Sequence, residues 1–166
     1  MDFDKIYLTH YPSIFKYLLQ LTRCEETSKD LVQEVFESLY IQKQKKQNIK
    51  DVRAWLFKTA YNRFVNNYNK QKYNLAYIQE TIRTETQYER EPEIEANEKV
   101  KQLEAGLNKL EPKAYHLLIL YQQGLKYKEM AEILEINPAS VGKTLSRTIE
   151  KLRTIIKEEC HELFEK

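Results

Sequence analysis

Glycine is scarce in this chain, three residues in 166, and proline is nearly as scarce, with four. Turn-rich β architectures draw heavily on both residues, so their shortage points away from strands and towards helices. Cys24 and Cys160 are the two cysteines; they lie far apart and supply no disulfide framework. Cys160-His161 would be half of a metal site, but no second pair stands at ligand spacing, and no metal is expected. His10, His116 and His161 are isolated from one another. With no glycine-rich phosphate loop and no Ser/His/Asp grouping either, neither catalytic residues, nor a cofactor, nor a small-molecule substrate is expected. No stretch approaches the run of about 18 apolar residues that a membrane span requires. The opening MDFDKIYLTH is acidic and lacks a long apolar core, so it does not read as a secretory signal. A cytoplasmic protein with both thiols reduced is expected.

What the chain does contain is helical periodicity, 42% hydrophobic residues and a segregated charge pattern. The most informative stretch is Gly124–Arg153. Tyr127, Met130, Ala131 and Leu134 form one apolar face of a short helix, and Glu135-Ile136-Asn137 interrupts it. Asn137 is suited to cap a second helix, with Pro138 at its first position. Val141, Leu145, Ile149, Leu152, Ile155 and Ile156 then make one stripe, leaving Ser140, Lys143, Ser146, Arg147 and Lys151 opposite. A short helix, a corner and a longer helix with a cationic, hydroxylic face predict a helix-turn-helix. Arg147 suits a guanine edge, whereas Lys143 and Lys151 suit phosphates. The plainer alternative is a helical hairpin with a solvated face.

Net charge is only +2, but residues 42–72 carry nine cations against Asp51 alone. Residues 73–111 carry nine glutamates against five cations, and residues 138–157 are basic again. Two polyanion-binding surfaces separated by an acidic connector are predicted. In chain order, a helix near Phe3–Tyr7 is followed by another that starts at Pro12 and runs through Ile14, Phe15, Leu18 and Leu21. A third, from about Glu25 to Ile41, has Leu31, Val32, Val35, Phe36 and Leu39 inside and Asp30, Gln33, Glu34 and Glu37 outside. Gln42–Lys50 reads as a basic loop, after which Asp51 caps a helix reaching about Lys72 with Val52, Leu56, Ala60 and Phe64 at intervals of four. Periodicity fades over Tyr73–Asn97, where Pro92 lies among glutamates. Packing resumes at Val100, Leu103, Leu107 and Leu110, and the apolar helix after Pro112 stops at Gly124. The expected fold is therefore all-α: two small helical domains, 1–72 and 98–166, joined by a flexible acidic linker, 73–97.

The helix Asp51–Lys72 interleaves Trp55, Phe57, Tyr61 and Tyr68 with Arg53, Lys58, Asn62, Arg63, Asn66, Asn67, Asn69 and Lys70. Rings stack on unpaired bases, amides bond base edges and cations follow the backbone, so the composition fits single-stranded nucleic acid. Trp55 and Phe64 fit a core position equally well.

Asp30-Leu31-Val32-Gln33-Glu34-Val35-Phe36, followed by Ala54-Trp55-Leu56-Phe57-Lys58-Thr59-Ala60-Tyr61-Asn62, resembles the second conserved region of bacterial RNA polymerase sigma factors. Leu107-Asn108-Lys109-Leu110-Glu111-Pro112, Tyr127-Lys128-Glu129-Met130-Ala131 and the stretch from Ser140-Val141 to Arg153 resemble the fourth. Both regions in one short chain, in that order, resemble the extracytoplasmic-function (ECF) subfamily. The resemblance implies binding to the clamp helices of the largest subunit of core RNA polymerase through Asp30, Gln33 and Glu34. It implies capture of the melted −10 element of promoter DNA by Arg53, Lys58, Tyr61, Asn62, Asn66 and Lys70. It further implies reading of the −35 element by Ala139, Ser140, Lys143, Ser146, Arg147 and Lys151, and restraint by an anti-sigma factor. Catalysis belongs to the polymerase. The chain departs from the family pattern at Gly142, where a basic residue is common, at Lys126, where Ser or Thr usually caps, and at Asn69, often Arg. A stand-alone helix-turn-helix regulator and an enzyme are the rival classes. The first leaves the Asp30–Phe36 segment and the aromatic-basic helix unexplained, and the second lacks a site.

Overall fold

The computed structural model describes residues 2–45, 48–81, 106–107 and 109–164, with backbone alone for 73–81 and 159–164. The acidic stretch 82–97, the apolar positions Val100 and Leu103, and the Cys160 and His161 side chains fall outside the described residues. Among the described residues six helices have both ends defined: α1 (Phe3–Thr22), α2 (Glu25–Gln44), α3 (Val52–Thr81), α4 (Pro112–Gln122), α5 (Tyr127–Leu134) and α6 (Pro138–Phe164). Among the described residues there is no strand, and the all-α expectation holds.

The N-terminal half is a three-helix unit of α1, α2 and α3. Leu31, Val32, Val35, Phe36 and Leu39 are all buried, as their spacing predicts, against Ile14, Tyr17 and Leu18 of α1 and Leu56, Phe57 and Ala60 of α3. A buried side chain of this size contributes about 1.5–3 kcal/mol. Tyr17 and Phe57 meet edge to face, with centroids 5.2 Å apart.

Two boundaries differ from the sequence expectation. Pro12 does not begin a helix but lies inside α1, which runs unbroken from Phe3 to Thr22. An interior proline costs roughly 3 kcal/mol, and the buried stripe of Ile6, Ile14, Tyr17 and Leu18, which spans the proline, offsets that cost. Leu8, whose carbonyl Pro12 leaves without its donor, is on the exposed side, where water reaches it. The second difference is α3, which continues past Lys72 to Thr81. Residues 73–81 contain neither glycine nor proline, so fading periodicity there does not end the helix.

The expected caps are present. Asp51 Oδ1 accepts the Ala54 N–H at 3.0 Å, opening α3. Gly124 has φ +73°, and the Leu125 N–H reaches back to the Leu120 carbonyl at 3.3 Å, closing α4. Gly106 sits against α6: a Cβ there would lie 3.1 Å from Leu152 Cδ1 and 3.3 Å from Ile156 Cγ1.

Candidate nucleic-acid and polymerase surfaces

The C-terminal half is built to present one face of α6. Glu129 accepts the Lys126 N–H at 2.7 Å, so α5 is capped from its third residue and does without a Ser or Thr at position 126. α5 ends at Glu135 in the left-handed conformation, φ 54°, which turns the chain sharply. Asn137 Oδ1 then accepts the Ala139 N–H at 2.9 Å and starts α6. Val141 and Leu145 are buried against α5 residues Met130, Ala131 and Leu134. That packing turns Ala139, Lys143, Ser146, Arg147 and Lys151 to solvent, with Ser140 half-buried at the corner. The helix-turn-helix is therefore formed as its periodicity predicts.

Tyr127 is the exception. Its ring is 47% exposed and lies over Gly142, where an added Cβ would stand 3.2 Å from Tyr127 Cε2. Gly142 thus gives room to a ring of the preceding helix, a packing reason for the missing basic residue. If α6 enters a major groove, Arg147→Ala is expected to cost about 1–3 kcal/mol at one base position, whereas Lys151→Ala weakens all sequences alike. Binding measured across a set of single-substitution duplexes checks this. Unchanged base preference in Arg147→Ala removes Arg147 from the reading set.

The six candidate −10 residues on α3 fall into two groups. Asn62, Asn66 and Lys70 are exposed and lie one turn apart along one stripe. Arg53, Lys58 and Tyr61 are half-buried instead, because they face the C-terminal half. The Arg53 guanidinium donates to the Gln123 and Gly124 carbonyls at the end of α4 and lies over the Phe57 ring at 5.8 Å. Lys58 Nζ is 3.8 Å from a Glu132 carboxylate oxygen on α5. Tyr61 meets His116 of α4 edge to face at 5.3 Å, and Phe64 does so at 5.5 Å. Two further links cross at α1: Tyr115 Oη donates to the Gln20 carbonyl at 2.8 Å, and Gln20 Nε2 to Gln122 Oε1 at 3.0 Å.

His116 is buried by this contact, its Nδ1 has no hydrogen-bond partner among the described residues, and burial pushes its pKa down to about 4. Trp55 is half-buried and lines a cleft with Asn48, Lys58, Glu129, Glu132 and Ile133. One wall of that cleft comes from the loop before α3 and the other from α5. Sequence periodicity gave no sign of these contacts, since residues such as Arg53 and Gln123 are brought together across 70 positions.

Asp30, Gln33 and Glu34 lie exposed on α2, opposite its buried stripe. Gln33 Nε2 donates to Glu37 at 2.8 Å, and Glu34 faces Arg63 of α3 at 3.5 Å. Beside Gln33 opens a largely apolar groove lined by Phe3, Tyr7 and Tyr11 of α1 and Phe36, Tyr40 and Ile41 of α2. Tyr40 and Ile41 are each 51% exposed, so this face continues the polar one as an uncovered apolar strip. Sequence spacing hides the strip, because it places Phe3–Tyr7 in a separate short helix. In the continuous α1, Phe3, Tyr7 and Tyr11 follow one another at intervals of four.

Comparison with known proteins agrees with this arrangement. Residues 6–73 match Sigma-70 region 2, and residues 101–152 match Sigma-70, region 4. The chain is 33% identical over 149 residues to the RNA polymerase sigma factor YlaC of Bacillus subtilis, covering 87% of this chain and 86% of that protein. It is 27% identical over 157 residues to the ECF RNA polymerase sigma factor SigM of the same organism, covering 93% and 95%. The fold is similar to that of the sigma factor RpoE of Bartonella quintana, solved with the anti-sigma factor NepR: TM-score 0.74, 19% identity, 94% of this chain and 97% of that one. It is also similar to CnrH, solved with the cytosolic domain of CnrY: TM-score 0.66, 18% identity, 94% and 88% coverage. With both regions matched in order and a relative of this identity aligned over most of its length, the chain belongs to the RNA polymerase sigma factors, in the ECF subfamily.

Proposed function

We propose that this sigma factor binds core RNA polymerase through α2, captures the melted −10 element on α3 and reads the −35 element with α6. The observation that carries the reading is the outward face of α6, where Lys143, Ser146, Arg147 and Lys151 are exposed above the buried Val141 and Leu145. A helix so anchored projects donors into a major groove without loss of its own packing. Residues 1–72 then form the polymerase and −10 domain, 73–97 the linker and 98–166 the −35 domain. Asn62 and Asn66 hold non-template bases, and Lys58 and Lys70 hold phosphates. The solved complexes of RpoE with NepR and of CnrH with CnrY support an anti-sigma protein as a further partner. Among the described residues no helix is long and apolar enough to cross a membrane, and a cytoplasmic site of action follows from polymerase binding.

Asp30, Gln33 and Glu34 contact the clamp helices of the largest subunit, with the neighbouring Tyr40 and Ile41 adding apolar area. Triple alanine replacement of Asp30, Gln33 and Glu34 is expected to weaken binding to core polymerase by about tenfold or more, since two or three polar contacts of roughly 1 kcal/mol are lost. Helical content stays unchanged, because all three side chains are exposed. Run-off transcription with purified core enzyme, with circular dichroism alongside, tests this. Retained affinity accompanied by unfolding assigns these residues to the fold instead.

A further inference from the structure

We propose that Arg63 is a positioning residue for polymerase binding, holding the Glu34 carboxylate of α2 in the setting that the clamp helices meet. It takes no part in strand capture. The inference rests on the assignment of Asp30, Gln33 and Glu34 to the polymerase face, and it adds a residue that acts through Glu34.

By composition Arg63 belongs with the strand-binding cations of α3, since it follows Asn62 directly. Its contacts lie elsewhere. On a helix of about 3.6 residues per turn, position 63 falls between the exposed stripe of Asn62, Asn66 and Lys70 and the buried Leu56 and Ala60. That flank faces α2, and both ends of the guanidinium are used there. Arg63 Nη2 donates to Ser38 Oγ at 3.0 Å, and Nη1 lies 3.5 Å from Glu34 Oε2. Ser38 Oγ in turn donates to the Glu34 carbonyl at 2.7 Å. The one hydroxyl hydrogen of Ser38 is therefore committed to its own helix, and its oxygen is left to accept from Arg63. Two residues one turn apart on α2 are gripped by a single planar fork. A lysine, as a point charge, could not hold both in this way.

The grip matters because the face it supports is acidic and made of long side chains. Asp30, Glu34 and Glu37 stand within two turns of α2, and like charges at that spacing repel one another. Gln33 is restrained by its bond to Glu37, and Glu34, half-exposed, is restrained from α3. A free glutamate loses rotamer freedom when a partner immobilises it, and that loss counts against affinity. With one carboxylate oxygen already held by Arg63, less freedom remains to be lost, and the other oxygen is presented to a donor of the clamp helices.

The test measures the affinity of the full, fluorescently labelled chain for purified core polymerase, with circular dichroism to report folding. Arg63→Gln keeps an amide donor on the Ser38 side and removes the charge that faces Glu34. The expected result is binding weakened roughly fivefold at unchanged helical content, in keeping with the loss of one half-exposed ion pair and its restraint. In a Glu34→Ala background the same substitution should have no further effect, because the group that Arg63 positions is gone. Binding of a single-stranded −10-like oligonucleotide by the assembled holoenzyme, at saturating polymerase, should be the same with and without Arg63→Gln. An equal loss of polymerase affinity in both backgrounds overturns the proposal, since Arg63 then touches polymerase itself or supports α2 at large. Weaker oligonucleotide binding also overturns it and returns Arg63 to the strand-binding cations. If Glu34→Ala weakens polymerase binding and Arg63→Gln does not, the polymerase reading of α2 stands and only the positioning fails. If Glu34→Ala leaves affinity unchanged, both the place of Glu34 on that face and the role of Arg63 fall.

Discussion

Replacing Asn62 and Asn66 together with alanine is expected to abolish transcription from a duplex promoter while sparing much of it on a template with a pre-opened bubble. A duplex opens only if something captures the exposed strand, since unstacking and unpairing a base costs a few kcal/mol. The two asparagines are exposed and one turn apart on α3, so their amides address neighbouring positions of one strand. An amide paired with a base edge is worth about 1–3 kcal/mol, so losing both lowers the open population by about 30-fold or more. Helix α3 keeps its core through Leu56, Phe57 and Ala60, and folding is unaffected. Permanganate footprinting of unpaired thymines measures the opening. Full opening by the double variant places strand capture elsewhere.

Acid is expected to loosen the contact between the halves through His116. Its pKa is lowered from 6.5 to about 4 by burial, and the groups that bury it from across the seam are the neutral rings of Tyr61 and Phe64. On its own helix it meets Tyr115, and Tyr61 has its pKa raised by burial and then by the Glu135 carboxylate. A base whose pKa is depressed in the packed state favours packing fully above its free pKa. That contribution falls away as pH drops from about 6.5 towards about 4, because the separated state binds the proton more readily. The shift amounts to about 3 kcal/mol at the acid end. Urea midpoints between pH 7 and pH 4, for the natural chain and for His116→Phe, isolate the effect. The variant should show a shallower decline, and parallel profiles would remove His116 from the acid response.

Much of the fold was legible because it is local. The stripe Leu31–Leu39 on α2, the caps at Asp51 and Asn137, the stop at Gly124 and the α6 face each depend on residues within one or two turns. Periodicity reports such faces directly. Pro12 by itself signals a helix boundary, whereas the packing on both sides of it decides that α1 continues. The family pattern makes Gly142 a missing basic contact, and the ring of Tyr127, fifteen residues earlier, that lies over it is not visible in that pattern. Arg53, Lys58 and Tyr61 were legible as a basic-aromatic set but not as a seam. Their partners in α4 and α5 have no sequence relation to them that a helical repeat would reveal.

The guanidinium of Arg53 has a practical consequence for dissecting this protein. It completes the end of a helix that belongs to the other half, covering carbonyls of Gln123 and Gly124 just before the chain enters α5. A fragment holding only the C-terminal half would lose that cover, expose His116 and restore its ordinary titration. A fragment holding only the N-terminal half would display Arg53, Lys58 and Tyr61 unopposed and bind polyanions more avidly than the intact chain does. Affinities measured on the pieces would then add up to a tighter binder than the whole, and the difference would measure the contact that cutting destroyed.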